Sequence, residues 1–173
     1  MSSMKWVSKK VAILGSHAVG KTSLINQFIY NKFPENYLTT IGLKVDKKTV
    51  ETDDYQLDMV IWDIAGQDNM AKVPQYYLNG CSGIIFVLDL TRPPTYESVQ
   101  IQLERIQKIT GKDIDILVAG NKSDLLTEAE IEKVRSQISV ELDMVTSAKY
   151  GENVEELFLI LAKKLIKRES QKA

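Results

Sequence analysis

Gly15-Ser16-His17-Ala18-Val19-Gly20-Lys21-Thr22 decides how the rest of the chain is read. These eight residues match G-x-x-x-x-G-K-[ST], a pattern whose glycine-rich turn wraps backbone N–H groups around a phosphate. The pattern carries weight only between a strand and a helix. Residues 9–14 are short, apolar and β-branched, which predicts a buried strand, and residues 23–30 predict a helix. The two glycines allow backbone geometry that a Cβ would obstruct. The new helix aims its partial positive charge at the same place. Lys21 would add a mobile cation for the outer phosphates, and Thr22 a hydroxyl ligand for Mg²⁺. Ser16, His17, Ala18, Val19 and Ser23 complete the lining of the loop.

Bulk properties bound the answer. At 173 residues, residues 1–173 read as one domain, with a short N-terminal extension (1–8) and a basic C-terminal end (163–173). A net charge of −1 gives no reason to expect nucleic acid as a partner. The single cysteine, Cys81, excludes an internal disulfide and suits a reducing compartment. No apolar run approaches the ~20 residues of a membrane-spanning helix, and residues 1–4 lack the order of a signal peptide. Ser2 excludes N-myristoylation, and residues 169–173 hold no cysteine for a prenyl group. The expectation is a soluble, cytoplasmic monomer, its contact with membranes left open. The lysines and arginine between 163 and 172 read as a solvated helix face.

Further along, residues 31–41 are polar and aperiodic and predict a long loop. Residues 42–52 and 55–62 flank Asp53-Asp54 as a hairpin. A short helix is expected over 73–78, and a strand buried on both faces over 83–89. Pro93-Pro94-Thr95 should start a helix running to Thr110, where Gly111 ends it. Strands follow at 114–119 and 142–146. Thr127 with Glu130 predicts a capping box for a helix to Ser139, and Asn153 with Glu156 caps the last one. In that last helix Val154, Leu157, Phe158, Leu161 and Leu165 follow a core-facing spacing. Alternating strands and helices predict an α/β fold: a six-stranded, mainly parallel sheet with one antiparallel edge strand and helices on both faces. Ligands of such sheets sit beyond the carboxyl ends of the strands. The polar clusters at Gly15, Asp63, Asn121 and Ser147 all follow strand ends.

Those clusters define a chemistry. Asn121-Lys122-Ser123-Asp124 holds a carboxylate that accepts from the N1–H and 2-amino group of guanine, whereas adenine would leave it unpaired. Losing such a charge-assisted pair costs ~2–3 kcal/mol. Asn121 can brace neighbouring loops, and the Lys122 stem can lie along the base. Ser147-Ala148-Lys149 would supply a backbone N–H for the guanine carbonyl. Asp63 can hold Mg²⁺ through a water, Gly66 can offer its N–H to a γ-phosphate, and Gln67 can orient an attacking water.

Taken together, Gly15…Lys21-Thr22, Thr39-Thr40-Ile41-Gly42, Trp62-Asp63-Ile64-Ala65-Gly66-Gln67, Asn121-Lys122-Ser123-Asp124 and Ser147-Ala148-Lys149 resemble the Ras superfamily of small GTPases. Thr39-Thr40-Ile41-Gly42, Trp62 and Tyr76-Tyr77 look most like its Rab branch. The resemblance implies a P-loop small G-protein fold and a switch that binds GTP and GDP with Mg²⁺ and hydrolyses GTP slowly. It implies that Thr40 reaches Mg²⁺ and γ-phosphate in the GTP state, with Thr22 and Asp63 as the other metal residues. Phe33 is similar to the aromatic that stacks on guanine, Tyr37 to the tyrosine that closes over the phosphates, and Gln67 with Lys21 to the catalytic pair. Switch I (31–41) and switch II (66–77) would meet effectors, exchange factors and GTPase-activating proteins, in vesicle trafficking or related signalling.

The chain departs from the family in three places. His17 stands where a small residue is usual, Lys44 and Val45 replace Asp-Phe, and no C-terminal cysteine is present. No arginine lies between Thr22 and Ile41, so switch I offers no internal cation, and Arg92, Arg105, Arg135 and Arg168 fall elsewhere. Hydrolysis is therefore expected to be slow until an outside arginine raises it ~10³–10⁵-fold. Two other readings stay open: a nucleotide-locked module disabled by His17, and an adenine-specific phosphate-loop enzyme.

Overall fold

The computed structural model describes residues 4–36, 38–52, 54–111 and 113–172. Its six strands are β1 (Lys5–Leu14), β2 (Leu43–Glu51), β3 (Tyr55–Ile64), β4 (Gly83–Asp89), β5 (Asp115–Asn121) and β6 (Met144–Val145). They form one sheet in the order β2-β3-β1-β4-β5-β6, antiparallel only between β2 and β3. The helices are α1 (Lys21–Tyr30), α2 (Gln75–Leu78), α3 (Val99–Thr110), α4 (Glu128–Gln137) and α5 (Val154–Ser170). This is the architecture expected of the Ras-type P-loop fold.

Alternation along β1 splits the core in two. Val11 and Ile13 join Leu24, Phe28, Leu157, Phe158 and Leu161 under α1 and α5. Ala12 and Leu14 face the other way, with Leu78, Val99 and Ile106 of α2 and α3. Every residue of β4 is buried because both its faces are covered. Between the two helices of the first layer, Phe28 stacks on Phe158 with ring centroids 4.1 Å apart.

Several boundaries differ from the sequence reading, each for a local reason. Lys5 to Ser8 are a paired part of β1, in register with Tyr55 to Asp58 of β3. β3 and β5 run on through Asp63 and Asn121, which sit opposite Lys44 and Asp89 on the ladders. Both functional candidates therefore stand on strands, which hold a side chain more stiffly than a loop. The helix expected from Pro93 is broken: Pro93–Thr95 is a single 3₁₀ turn and α3 starts at Val99. Thr95 accounts for the break, since its hydroxyl accepts from Asp89 N at 3.0 Å and bonds the Arg92 carbonyl at 2.8 Å. β6 shortens because Asp143 pairs with Val118 through both its backbone N–H and its carboxylate. The capping box at Thr127 and Glu130 forms. Asn153 does not cap α5; it lies at φ +57° and its amide donates to Val145 O at 2.8 Å. Of the expected turn pair, Asp53 lies outside the described residues, while Asp54 O accepts from Lys5 N.

Phe158 is fully buried at the junction of α5, α1 and the sheet. Replacing it with alanine should lower unfolding stability by about 3–5 kcal/mol, read as a shift of the urea midpoint at unchanged slope. A loss under about 1 kcal/mol would contradict this placement of the core.

Candidate functional site

Residues 15–20 make the turn between β1 and α1. Gly20 has φ +102°, and a Cβ on it would lie 2.2 Å from the side-chain nitrogen of Asn121. No side chain caps α1, so its first amides stay open toward the loop. Lys21, on the first turn and 6% exposed, donates its ammonium to the carbonyls of Ser16 at 2.8 Å and Gly15 at 3.1 Å. Burial pulls its pKa down to about 8, Asp63 opposing and Arg92 reinforcing the shift. The loop thus holds a desolvated cation that an anion would stabilise.

Beside it three chain segments meet. The Thr22 hydroxyl donates to Asp63 Oδ2 at 2.5 Å and lies 2.6 Å from the Thr40 hydroxyl. Asp63 is 1% exposed, and its Oδ1 has no hydrogen-bond partner. Burial raises its pKa, against the Thr22 hydroxyl and the charge of Lys21. A buried carboxylate oxygen without a partner is costly, and a hard divalent cation would satisfy it. One carboxylate and two hydroxyls are the oxygen donors that Mg²⁺ takes, so these residues fit that ion. Among the described residues no cluster of three His, Cys, Asp or Glu side chains could hold a metal alone. The remaining ligands would have to be waters and phosphate oxygens.

Past the loop opens a cavity of about 440 Å³ lined by Ala18, Phe33, Asn121, Lys122, Asp124 and Lys149. Asn121 ties its walls together. Its amide donates to Val19 O at 3.0 Å, and its Oδ1 accepts from the Thr146 hydroxyl and from Ala148 N, both at 3.1 Å. Lys122 donates to Ala18 O and to Asp89 Oδ2, each at 2.7 Å, so its head clamps the phosphate loop while its stem lines the cavity. Burial alone would raise the pKa of Asp89, but bonds from Lys122 and Thr91 outweigh it and hold the carboxyl below its usual range. The buried Ser147 hydroxyl donates to Asp124 Oδ1 at 2.7 Å and fixes that carboxylate. Thr146 and Asp89 escaped the sequence reading because each lies just outside its motif.

The segment after β3 closes the far side. Gly66 is pressed on the loop: a Cβ there would come within 2.6 Å of His17 Cα. Gln67 N donates to Gly15 O at 3.2 Å. From α3, Gln102 accepts from Met70 N and Arg105 donates to Asn69, pinning residues 68–70. His17 itself is exposed. Arg92, outside switch I, reaches the phosphate loop: its guanidinium donates to the His17 carbonyl across 75 residues of sequence. Nothing local in the sequence marks that contact. On the outer face Val45 stands opposite Trp62, and Trp62 meets Tyr77 edge-on at 6.3 Å. Ile41 and Leu38 are largely exposed. Tyr37 lies outside the described residues.

A family model described as Ras family matches residues 10–167. The chain is also similar to Ras-related protein Rab-12 of Mus musculus, with 35% identity over 164 residues that cover 92% of this chain and 68% of that protein.

Lys21 gives the site a pH signature. Its pKa falls from 10.5 to about 8 on folding, so between those values the unfolded chain binds more protons and stability rises with pH. In nucleotide-free protein, Lys21→Met should add about 3 kcal/mol below pH ~8, and the gain should fade as pH nears 10.5. Urea unfolding of both proteins near pH 7 and near pH 10 checks this. A difference independent of pH would refute it.

Proposed function

Because the chain belongs to the Ras family of small GTPases, we propose that it runs a guanine-nucleotide cycle in which GTP orders residues 31–41 and 66–77 and its hydrolysis releases them. It is a small GTP-binding switch protein with GTP hydrolase activity. The observation that carries the finer reading is the meeting of Thr22, Thr40 and Asp63. Thr40 comes from the long loop, so holding it there couples loop position to whatever ion and phosphate the three residues share.

Each group then has a role. The amides of 15–23 cradle the phosphates, Lys21 neutralises the outer ones, and the Gly66 amide faces the γ-phosphate. Thr22, Thr40 and Asp63 would hold Mg²⁺. When bound, that ion draws charge from the phosphate oxygens as the terminal bond breaks. Gln67 orients the water that attacks. Asp124, fixed by Ser147, accepts from N1–H and the 2-amino group of guanine, Phe33 covers the base, and Asn121 keeps the walls in register. Ala148 and Lys149 complete the base pocket. Tyr37 would close over the phosphates. An adenine base would leave Asp124 unpaired, which disfavours an ATP enzyme.

Hydrolysis is slow in this account because Arg92 is spent on the His17 carbonyl and switch I carries no arginine. A partner's arginine would then accelerate it ~10³–10⁵-fold. The exposure of His17 argues against a locked module, since a ring in solvent leaves Gln67 room to work. Effectors, exchange factors and activating proteins would read both switch segments and the Val45, Trp62 and Tyr77 surface. The Rab likeness supports a place in membrane trafficking. We place the protein in the cytoplasm as a monomer, peripheral to a membrane. No helix among the described residues is long and apolar enough to cross a bilayer.

Single-turnover GTP hydrolysis separates the readings. Wild type should be slow but measurable, His17→Gly within a few-fold of it, and Gln67→Leu slower by ~10-fold or more. Wild type as slow as Gln67→Leu, with His17→Gly fast, would establish the locked module instead.

A further inference from the structure

β1 and β4 are ladder neighbours only from Val11 to Leu14, so Lys5 to Lys10 run on beyond the start of β4. On their other side the same residues pair with β3. Successive residues of a strand aim their main-chain groups at opposite neighbours. Lys5 N donates to Asp54 O beside β3, and Lys10 O accepts from Ser82 N beside β4. The N–H and C=O of Trp6 and Ser8 therefore point to the β4 side, where they have no backbone partner among the described residues. Such a row of open groups is a template for another strand.

The side chains along this edge divide by face. Trp6, Ser8 and Lys10 project to one face, and Trp6 is 69% exposed. Lys5 and Lys9 project to the α5 face, where Lys172 joins Lys5 and Arg168 joins Lys9. A cleft of about 490 Å³ prolongs the edge from Lys9 past Cys81 and Ser82 to Arg168. Glu169 pairs with Lys9 and Asp115 with Arg168, while Lys5 and Lys172 have no ion pair among the described residues. A second copy adding its own β1 antiparallel, centred on Val7, would set Lys5 of each copy opposite Lys9 of the other, which like charges disfavour. An acidic strand has the complementary charge.

We infer that the open edge of β1 is a docking site for an extended acidic segment of a partner protein, added to the sheet as a strand. Its carboxylates occupy alternate positions facing Lys5 and Lys172. The residues between them are β-branched or aromatic and lie beside Trp6. The edge is at the amino end of β1, opposite the strand ends that carry the nucleotide loops, so the inference stands apart from the switch reading.

The test uses the full chain and a fluorescein-labelled octapeptide pool alternating Glu or Asp with Val, Ile, Thr or Tyr. Saturable anisotropy is expected, together with slowed amide exchange at Trp6 and Ser8. Ser8→Pro removes only the N–H aimed at the open side and leaves the β3 ladder intact. It should weaken binding about tenfold, as should Lys5→Glu. Should Ser8→Pro fail to fold by circular dichroism, Lys5→Glu and the exchange data decide. Absence of saturable binding, full affinity in both variants, or equal binding of a proline-interrupted pool of the same charge would overturn the proposal. So would a sedimentation dimer of the wild type that Ser8→Pro abolishes.

Discussion

A buried carboxylate oxygen with nothing to bond governs this molecule. Asp63 is fixed on β3, shielded from water, and bonded through one oxygen to the Thr22 hydroxyl, while the other faces no donor. Burial disfavours its charge, and the Thr22 hydroxyl with the charges of Lys21 and Lys44 does not make up the difference. The arrangement is unfavourable for the protein alone and favourable with a divalent cation. Thr40 completes the set at 2.6 Å from Thr22, which brings the long loop under the same control. A switch requires a bistable element, and in the proposed cycle the loop held through Thr40 serves as it.

The sheet makes this possible by delivering its carboxyl ends to one place. β1 leads into the phosphate loop, β3 carries Asp63, β5 carries Asn121, and the chain after β6 carries Ser147. Asn121 then ties two of these segments to its own strand through a single carboxamide, with both its nitrogen and its oxygen occupied. Such a fully satisfied buried polar group rigidifies its surroundings, whereas a truncated one would leave Val19 O and Ala148 N unpaired. Asp89 and Lys122 clamp the loop from the next strand over. The cavity lined by Phe33, Asn121 and Asp124 is consequently held by satisfied contacts.

Sequence reading recovered the order of strands and helices because apolar runs alternated with motif clusters. The phosphate loop, the Asn121 loop and the Thr127 cap were legible because each is written within a few consecutive residues. Contacts between distant residues were not. Arg92 on the His17 carbonyl, Thr146 on Asn121 and Gln102 under Met70 depend on how the sheet brings chain segments together. Asn153 illustrates the opposite failure: a good capping residue was drawn into a left-handed turn by a carbonyl on Val145. Lys5 to Ser8 read as part of an N-terminal extension because paired strand residues with one open edge and an exposed face need not be apolar.

The metal dependence of GDP release measures the central claim most directly. Chelation of Mg²⁺ from the GDP-loaded wild type should accelerate dissociation of a fluorescent GDP roughly tenfold to a hundredfold. Asp63→Asn, which removes the charge but keeps the shape, should release GDP fast with or without chelator. A wild-type rate indifferent to Mg²⁺, or an Asp63→Asn protein that responds to it as fully as wild type, would contradict the account.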